Sequence, residues 1–458
     1  MKVVVTGGSG QLGTLVLRRL LGLRKVKQLV SLDLRPPALA GRKLSAIQAD
    51  VRDPAIAAHF AGADAAIHLA FVVTGLMPRP QFDAINIGGT DNVLAAVAAH
   101  KVPRFIYTSS IAAYGVVSGH PDPIVETTPR RYQPEFAYSA CKYTVEEHLD
   151  AFEAAHPDIA VTRLRPAILV GNHMEHVLGD MLRRRVLVDS ETPMPLVWDE
   201  DVADAIVLAL QATPAARGAF NLGARDPASS AELARATGLR LLKSSPLSRA
   251  IAARALPVLA RLGLIHAADP AWLKQTAARM VMASDKARTQ LGWRPRGDTS
   301  IDVLKLYVNE VPGREDPRIT AFLGMVKLAA RRMPAPPEAR HMNLTIHLVL
   351  TGPGGGERTL RLRNGRLDIT KGAPRPPDST LTLRAQTLLD VLAGRTDFGT
   401  LQLTGALRVE GDPAAQMMLG AIVTGFKTQA RARGLRGQLT RAFGRWLGAH
   451  AQPERTAT

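Results

Sequence analysis

Thr6-Gly7-Gly8-Ser9-Gly10-Gln11-Leu12-Gly13 joins the apolar run VVVTG (3–7) to the helical pattern QLGTLVLRRLLGL (11–23). Gly7 permits a tight turn, Gly10 lets the backbone approach a pyrophosphate, and Gly13 lets helix and strand pack closely. The first turn of the helix adds unpaired N–H groups and the positive end of a dipole, both suited to phosphate. A glycine triad alone is a weak signal, since a bare turn uses the same residues. Here Asp33 closes the next apolar run, 20 positions beyond Gly13. A carboxylate at that distance accepts the ribose hydroxyls of a dinucleotide. It also repels a 2′-phosphate, so NAD is favoured over NADP, with Arg35 as the neighbour that blunts the preference.

Outward from this turn, short apolar runs alternate with helical patterns. VVVTG (3–7), QLVSLDL (28–34), LSAIQAD (44–50), AAIHLAF (65–71), RFIYTSS (104–110) and IAVTRLRP (159–166) read as buried strands. Helical segments at 11–23, 90–101 and 138–155 lie between them. Such alternation predicts an α/β fold built on a doubly wound parallel sheet. The Rossmann core is expected over about 1–166, with a smaller, more helical substrate part over 167–312 that includes the apolar, amphipathic stretch 246–264. The Pro-rich RMPAPP marks a linker, drawn at 313–337.

Beyond the linker the period changes to two. NLTIHLVLTG (343–352), ERTLRLRNGRLDIT (357–370) and STLTLRA (379–385) read as antiparallel strands, with turns at Pro353–Gly356 and Asn364–Gly365. A helix (385–395), a strand pair (401–412) and a closing helix (413–426) complete a separate α+β domain over 338–430.

The single cysteine, Cys141, rules out an intramolecular disulfide and a Cys-rich metal site. MKVVVTG reaches glycine without a signal-peptide core, and no uninterrupted run of 18 apolar residues is present. The expected location is cytoplasmic, with peripheral membrane contact as an option. A formal charge of +18 favours anionic partners, although arginine-rich codon usage gives the same balance. No interleaving of basic and aromatic residues points to nucleic acid.

Tyr138 and Lys142 stand one helical turn apart, on one face. An ammonium near a phenol stabilises the phenolate, so a lowered tyrosine pKa and proton exchange near neutrality are expected. Tyr-x-x-x-Lys is a common helical accident, but here Thr108-Ser109-Ser110 ends a strand 28 positions before the tyrosine.

Together these motifs resemble the extended short-chain dehydrogenase/reductase family, the NAD-dependent epimerase/dehydratase family. The likeness spans about residues 1–312 and is carried, in order, by TGGSGQLG (6–13), Asp33, ADVRD (49–53), AIHLA (66–70), NIGGTDNVL (86–94), YTSSIAAYG (107–115), YSACK (138–142), LRPAILVG (164–171) and SDKARTQLGW (284–293). The resemblance implies cofactor contacts at Gly7, Gly10, Gln11, Leu12, Gly13, Asp33, Asp50, Val51, Leu69, Ala70 and Lys142. It implies a supporting role for Asn86, and catalysis by Ser110, Tyr138 and Lys142, with Ser109 as the alternative serine. It also suggests a homodimer. The family's nucleotide-sugar enzymes carry an asparagine where this chain has Ile168, and an arginine near Met194 or Pro195. An apolar substrate pocket of Ile168, Leu169, Met194 and Trp198 is expected instead; the alternative is that these residues are ordinary core. His173, Glu175 and His176 lack metal-ligand spacing, and no metal is expected.

Residues 338–430 resemble the sterol carrier protein type 2 domain through NGRLDIT (364–370), PDSTLTLRAQTLLDVLAGR (377–395) and LQLTGALRVEGD (401–412). The resemblance implies an apolar tunnel lined by Leu388, Leu389, Leu392, Met417, Met418 and Leu419. The segment 435–450 reads as a basic amphipathic helix, suited to an anionic membrane surface, to capping the domain or to a partner. Three functions remain: an NAD(P)-dependent oxidoreductase interconverting alcohol and ketone on a sterol-like or acyl substrate; a nucleotide-sugar epimerase or dehydratase; and a cofactor-gated lipid carrier without catalysis.

Overall fold

The computed structural model describes residues 1–243 apart from 38, 74–76, 172–176 and 191; 278–330 apart from 312–314; 343–412 apart from 365 and 373–376; and six further positions, 245, 251, 254, 255, 258 and 420. It divides into two compact units, Met1–Lys305 and Leu306–Thr458.

In the first unit the strands are β1 (Lys2–Thr6), β2 (Gln28–Asp33), β3 (Leu44–Gln48), β4 (Ala65–His68), β5 (Arg104–Thr108), β6 (Ala160–Pro166), β7 (Ile168–Val170), β8 (Val186–Val188), β9 (Leu196–Trp198), β10 (Gly218–Leu222) and β11 (Arg240–Leu242). Seven of them form one parallel sheet in the order β10-β6-β5-β4-β1-β2-β3. The chain winds outward in both directions from β1 and β4, and so leaves a crevice beyond Thr6 and His68, where doubly wound sheets hold ligands.

Period-two alternation on β1 serves both faces of this sheet. Val3 and Val5 pack with Leu15, Val16 and Leu20 of helix α1 (Gln11–Gly22), whereas Val4 packs with Val93 and Val97 of the helix Gly89–Ala99. Burial on both sides explains why the strands read as continuous apolar runs. The helix carrying Tyr138 and Lys142 runs Ala137–Ala155 and lies on the same face as Gly89–Ala99 through Val145 and Leu149.

The second unit holds a five-stranded sheet in the order β14-β13-β12-β15-β16, made of β12 (Asn343–Thr351), β13 (Gly356–Arg363), β14 (Arg366–Lys371), β15 (Ser379–Arg384) and β16 (Leu407–Gly411). Leu344, Ile346, Leu348 and Leu350 of β12 point to one face, where Leu388, Leu389 and Leu392 of the helix Ala385–Ala393 cover them.

Three expectations for this unit are corrected. The sheet is mixed, because β12 and β15 pair in parallel. LQL (401–403) is not a strand: Phe398–Leu403 is a helix, started by the Asp397 carboxylate accepting from the Thr400 N–H, and Leu403 faces solvent. Part of the stretch drawn as linker is the helix Pro317–Ala330, which buries Ile319, Phe322 and Leu323 in the same core as the sheet. The segments 413–426 and 435–450, and with them Met417, Met418 and Leu419, lie outside the described residues except for position 420. Among the described residues no helix is long and apolar enough to cross a membrane.

Candidate active site

The glycine turn is built without room for side chains. Gly7 has φ +75°, and a Cβ there would stand 2.5 Å from the Ala70 nitrogen. A Cβ on Gly13 would stand 2.1 Å from the Gly7 carbonyl oxygen. Gly10 meets only that same oxygen, at 3.3 Å, so its outer side is open. Asp33 accepts from the Ser9 N–H at 3.0 Å and the Arg35 N–H at 3.1 Å, which fixes its carboxylate beside the turn. The Arg35 side chain is exposed. A cradle that any Cβ would fill, with a carboxylate at its rim, fits a dinucleotide with a free ribose diol.

Neighbouring groups hold the rest of the crevice. Thr6 and the buried His68 bond at 2.6 Å, His68 and Thr90 at 3.0 Å, and the Thr90 hydroxyl donates to the Asn86 carbonyl at 2.6 Å. Asn86 in turn accepts from the Val72 N–H and donates to the Val72 carbonyl, pinning the backbone after Leu69 and Ala70. Burial, aided by the Lys142 charge, pulls the His68 pKa down to about 3, so this chain of bonds is uncharged at neutrality. Asp50 is chelated by the Arg52 guanidinium, which holds its carboxyl below the usual range, and Val51 is buried against Gly89.

Ser110, Tyr138 and Lys142 come together. The Ser110 side chain lies close enough to the Tyr138 phenol to favour its ionised form. Tyr138 and Lys142 point the same way from their helix: the Tyr138 ring meets Phe71 edge-on at 5.7 Å, and the Lys142 ammonium lies 3.5 Å from the centre of that same ring. Both are buried, at 8% and 2% exposure.

The expected lowering of the tyrosine pKa is corrected. Burial is the largest influence on Tyr138 and, against the opposing influence of Ser110, pushes its phenol up to about 12. Lys142 directs its ammonium instead to the Tyr107 hydroxyl and the Thr108 carbonyl, each at 2.9 Å, and burial draws its own pKa well below the usual lysine range.

The two serines separate by strand geometry. Ser109, two residues beyond Tyr107, faces the same helix and donates to Glu146 at 2.5 Å. Ser110 comes after the strand ends; it caps the short 3-10 turn Ile111–Tyr114, and its oxygen accepts from the Ala112 N–H.

Sequence reasoning missed two acids. Glu146 continues the Tyr138–Lys142 face by one more turn and is fully buried, held by Arg165, Arg130 and Ser109. The four-residue spacing was the available signal. Asp199 opens the helix Asp199–Gln211, is 2% exposed, and accepts from the Gln11 side-chain amide at 3.1 Å. Its carboxylate occupies the space a side chain at position 171 would need, so only glycine fits there. Burial pushes its pKa up to about 6.

Of the residues expected to line a substrate pocket, Ile168 and Leu169 pair with Leu196 and Val197, and Met194 bridges Ala228; all three of Ile168, Leu169 and Met194 are partly exposed. Trp198 is fully buried, with the Arg296 guanidinium 5.6 Å from its ring, and belongs to the core. His173, Glu175 and His176 lie outside the described residues.

Residues 3–223 match the NAD dependent epimerase/dehydratase family, and residues 327–424 match the SCP-2 sterol transfer family. A 2-alkyl-3-oxoalkanoate reductase of Stenotrophomonas maltophilia is 28% identical over 222 residues, covering 46% of this chain and 66% of that protein. A UDP-glucose 4-epimerase of Streptomyces lividans is 29% identical over 353 residues, covering 69% and 98%. Among solved structures, UDP-glucose 4-epimerase from Bifidobacterium longum in complex with NAD+ and UDP superposes with a TM-score of 0.52 at 20% identity, over 67% of this chain and 98% of that one.

Proposed function

The chain joins an NAD-dependent domain of the epimerase/dehydratase family to a domain of the SCP-2 sterol transfer family, and from that premise we propose that it interconverts a ketone and an alcohol on a lipophilic, sterol-like or acyl substrate. The observation that carries the reading is the buried Ser110–Tyr138 pair beside Lys142, against the aromatic face of Phe71.

Gly7, Gly10, Gln11, Leu12 and Gly13 would hold the pyrophosphate of NAD, Asp33 its ribose, Asp50, Val51, Leu69 and Ala70 the walls of the groove, and Lys142 the second ribose. Bound there, the cofactor supplies hydride transfer. The protein handles the proton. With its pKa near 12, Tyr138 keeps the phenolic proton at neutral pH and is set to give it to a substrate carbonyl oxygen. Ser110 bonds that same oxygen and fixes its distance from the phenol. Lys142, 5.8 Å from the centre of the tyrosine ring, stays on the Tyr107 hydroxyl and the Thr108 carbonyl and would position the cofactor's ribose beside the phenol. Phe71 and Phe136 pack against the Tyr138 ring and hold it in place.

The SCP-2 domain binds a lipophilic ligand in this scheme, and its tether raises the local concentration of a poorly soluble substrate. A second reading, nucleotide-sugar epimerisation, is favoured by the near full-length match to the Streptomyces epimerase. Ile168 and Met194 oppose it, being apolar where a uridine diphosphate needs polar partners. Purified protein assayed on 3-keto and 3-hydroxy lipids and on UDP-sugars decides. Oxidation of NADH with the keto lipids alone supports the proposal; turnover of UDP-sugars alone replaces it with the second reading. Lipid bound without turnover of either class leaves a carrier.

A further inference from the structure

The helices described above cover one face of the carrier unit's sheet, and at the β13–β14 end its other face carries a basic corner. On β13 the alternation that buries Leu360 and Leu362 turns Arg361 and Arg363 outward. The ladder sets Arg363 directly against Arg366 of β14, and Arg361 against Asp368. Like charges placed opposite each other destabilise a strand pair. The nearby acid does not relieve them, because Asp368 is in an ion pair with Lys327 at 2.9 Å. Among the described residues, Arg361, Arg363 and Arg366 make no ion pair or side-chain hydrogen bond. With Asn364 and Asp368 they rim an open concavity of about 680 Å³.

We propose that this corner is a docking surface for the phosphate headgroups of an anionic bilayer, which brings the carrier unit to the phase from which its cargo is drawn. The inference rests on the lipid-cargo reading above. Planar guanidinium groups take phosphate oxygens in pairs, and three of them on one pair of strands suit a field of headgroups. The surface is open and shallow, which fits a bilayer plane. Its neighbours on the outward face are Thr345, Thr359, Thr370 and His347, whose imidazole is paired with the Glu357 carboxylate at 3.3 Å; among the described residues these strands carry no Phe, Tyr or Trp on which a nucleic-acid base would stack.

The test is flotation of the full chain with vesicles of phosphatidylcholine, alone or mixed with phosphatidylglycerol. The wild-type protein is expected to float with the mixed vesicles only, and less as salt is raised. The variant R361Q/R363Q/R366Q should bind the mixed vesicles roughly tenfold more weakly or worse. R18Q/R24Q/R42Q, which removes the same charge from exposed positions of the first unit, should bind as wild type. Equal loss in both variants would reduce the effect to net charge and overturn the proposal, as would undiminished binding by the hairpin variant. Retention of duplex nucleic acid through these arginines, with no vesicle binding, would overturn it too. A melting temperature of R363Q equal to or above that of the wild type, with a partial loss of binding, separates the surface from folding. Native mass spectrometry of the same preparations reads bound lipid independently, so failure of the cargo reading and failure of the docking surface give different results.

Discussion

The Ser109 hydroxyl donates to a carboxylate oxygen of Glu146 at 2.5 Å, and so the serine next to Ser110 is spent on the scaffold. The same carboxylate takes the guanidinium of Arg165 and, at 2.9 Å, that of Arg130. Because Glu146 lies on the helix of Tyr138 and Lys142, the Ser109 bond ties that helix to the end of β5, and the buried ion pair with Arg165 ties it to β6.

Replacing Glu146 by Gln leaves two cations facing a neutral amide, one of them, Arg165, 3% exposed. Loss of one partner of a buried pair costs roughly 3–5 kcal/mol. Thermal unfolding should show that loss at pH 7, and E146Q/R165Q should recover part of it in a double-mutant cycle. The carboxyl is depressed to about 2, chiefly by Arg165 acting against the cost of burial. A depressed acid contributes stability above its unfolded pKa near 4.5, lost as pH falls towards 2. The gap between wild type and E146Q should therefore narrow across that window; a gap constant from pH 5 to pH 2 would contradict the assignment.

Tyr138→Phe keeps the ring contacts with Phe71 and Phe136 and removes the hydroxyl with its proton. Turnover should fall by roughly 10²–10⁴, while cofactor affinity, measured by fluorescence or calorimetry, stays within about twofold. Retained turnover would remove Tyr138 from the chemistry.

Asp33→Ala deletes the negative charge at the rim of the cradle. Discrimination between NAD and NADP should shift towards NADP by about tenfold or more in kcat/KM, since a charge contact near a protein surface is worth on the order of a few kcal/mol. An unchanged ratio would mean that the carboxylate does not face the ribose.

Asp199 behaves in the opposite sense to Glu146. Its pKa rises from the ordinary 3.8 to about 6, with burial as the first cause. A raised acid favours folding while protonated, so stability falls as pH climbs from about 4 through 6 and stays lower above, by roughly 3 kcal/mol at most. Asp199→Asn removes the titrating group and can still accept from Gln11. It should be more stable than wild type at pH 7.5, with the difference vanishing near pH 4. A pH-independent difference would assign the effect to packing.

The sheet was legible because its inner strands are buried on both faces and its helices on one; both patterns are written in the chain. Gly7, Gly13 and Asp33 were legible for a related reason, since backbone crowding and a fixed strand length dictate their spacing. Less legible were the contacts that depend on which side chain wins a partner. Lys142 was expected to act on Tyr138, yet two oxygens on β5 lie within its reach. The family resemblance put Trp198 in the pocket lining, but its side chain is fully buried. LQL (401–403) alternates like a strand, and only the Asp397 cap turns it into helix. The parallel pairing of β12 with β15 left no local trace, since parallel and antiparallel strands share one period.

The helix Pro317–Ala330 has a practical consequence for anyone who wishes to cut this protein in two. An excised carrier fragment starting at residue 338, where the sequence suggests a border, would be stripped of Ile319, Phe322 and Leu323 and would leave raw apolar surface on its sheet. The portable module begins before Pro317, and the proline-rich tract that resembles a seam is internal to it.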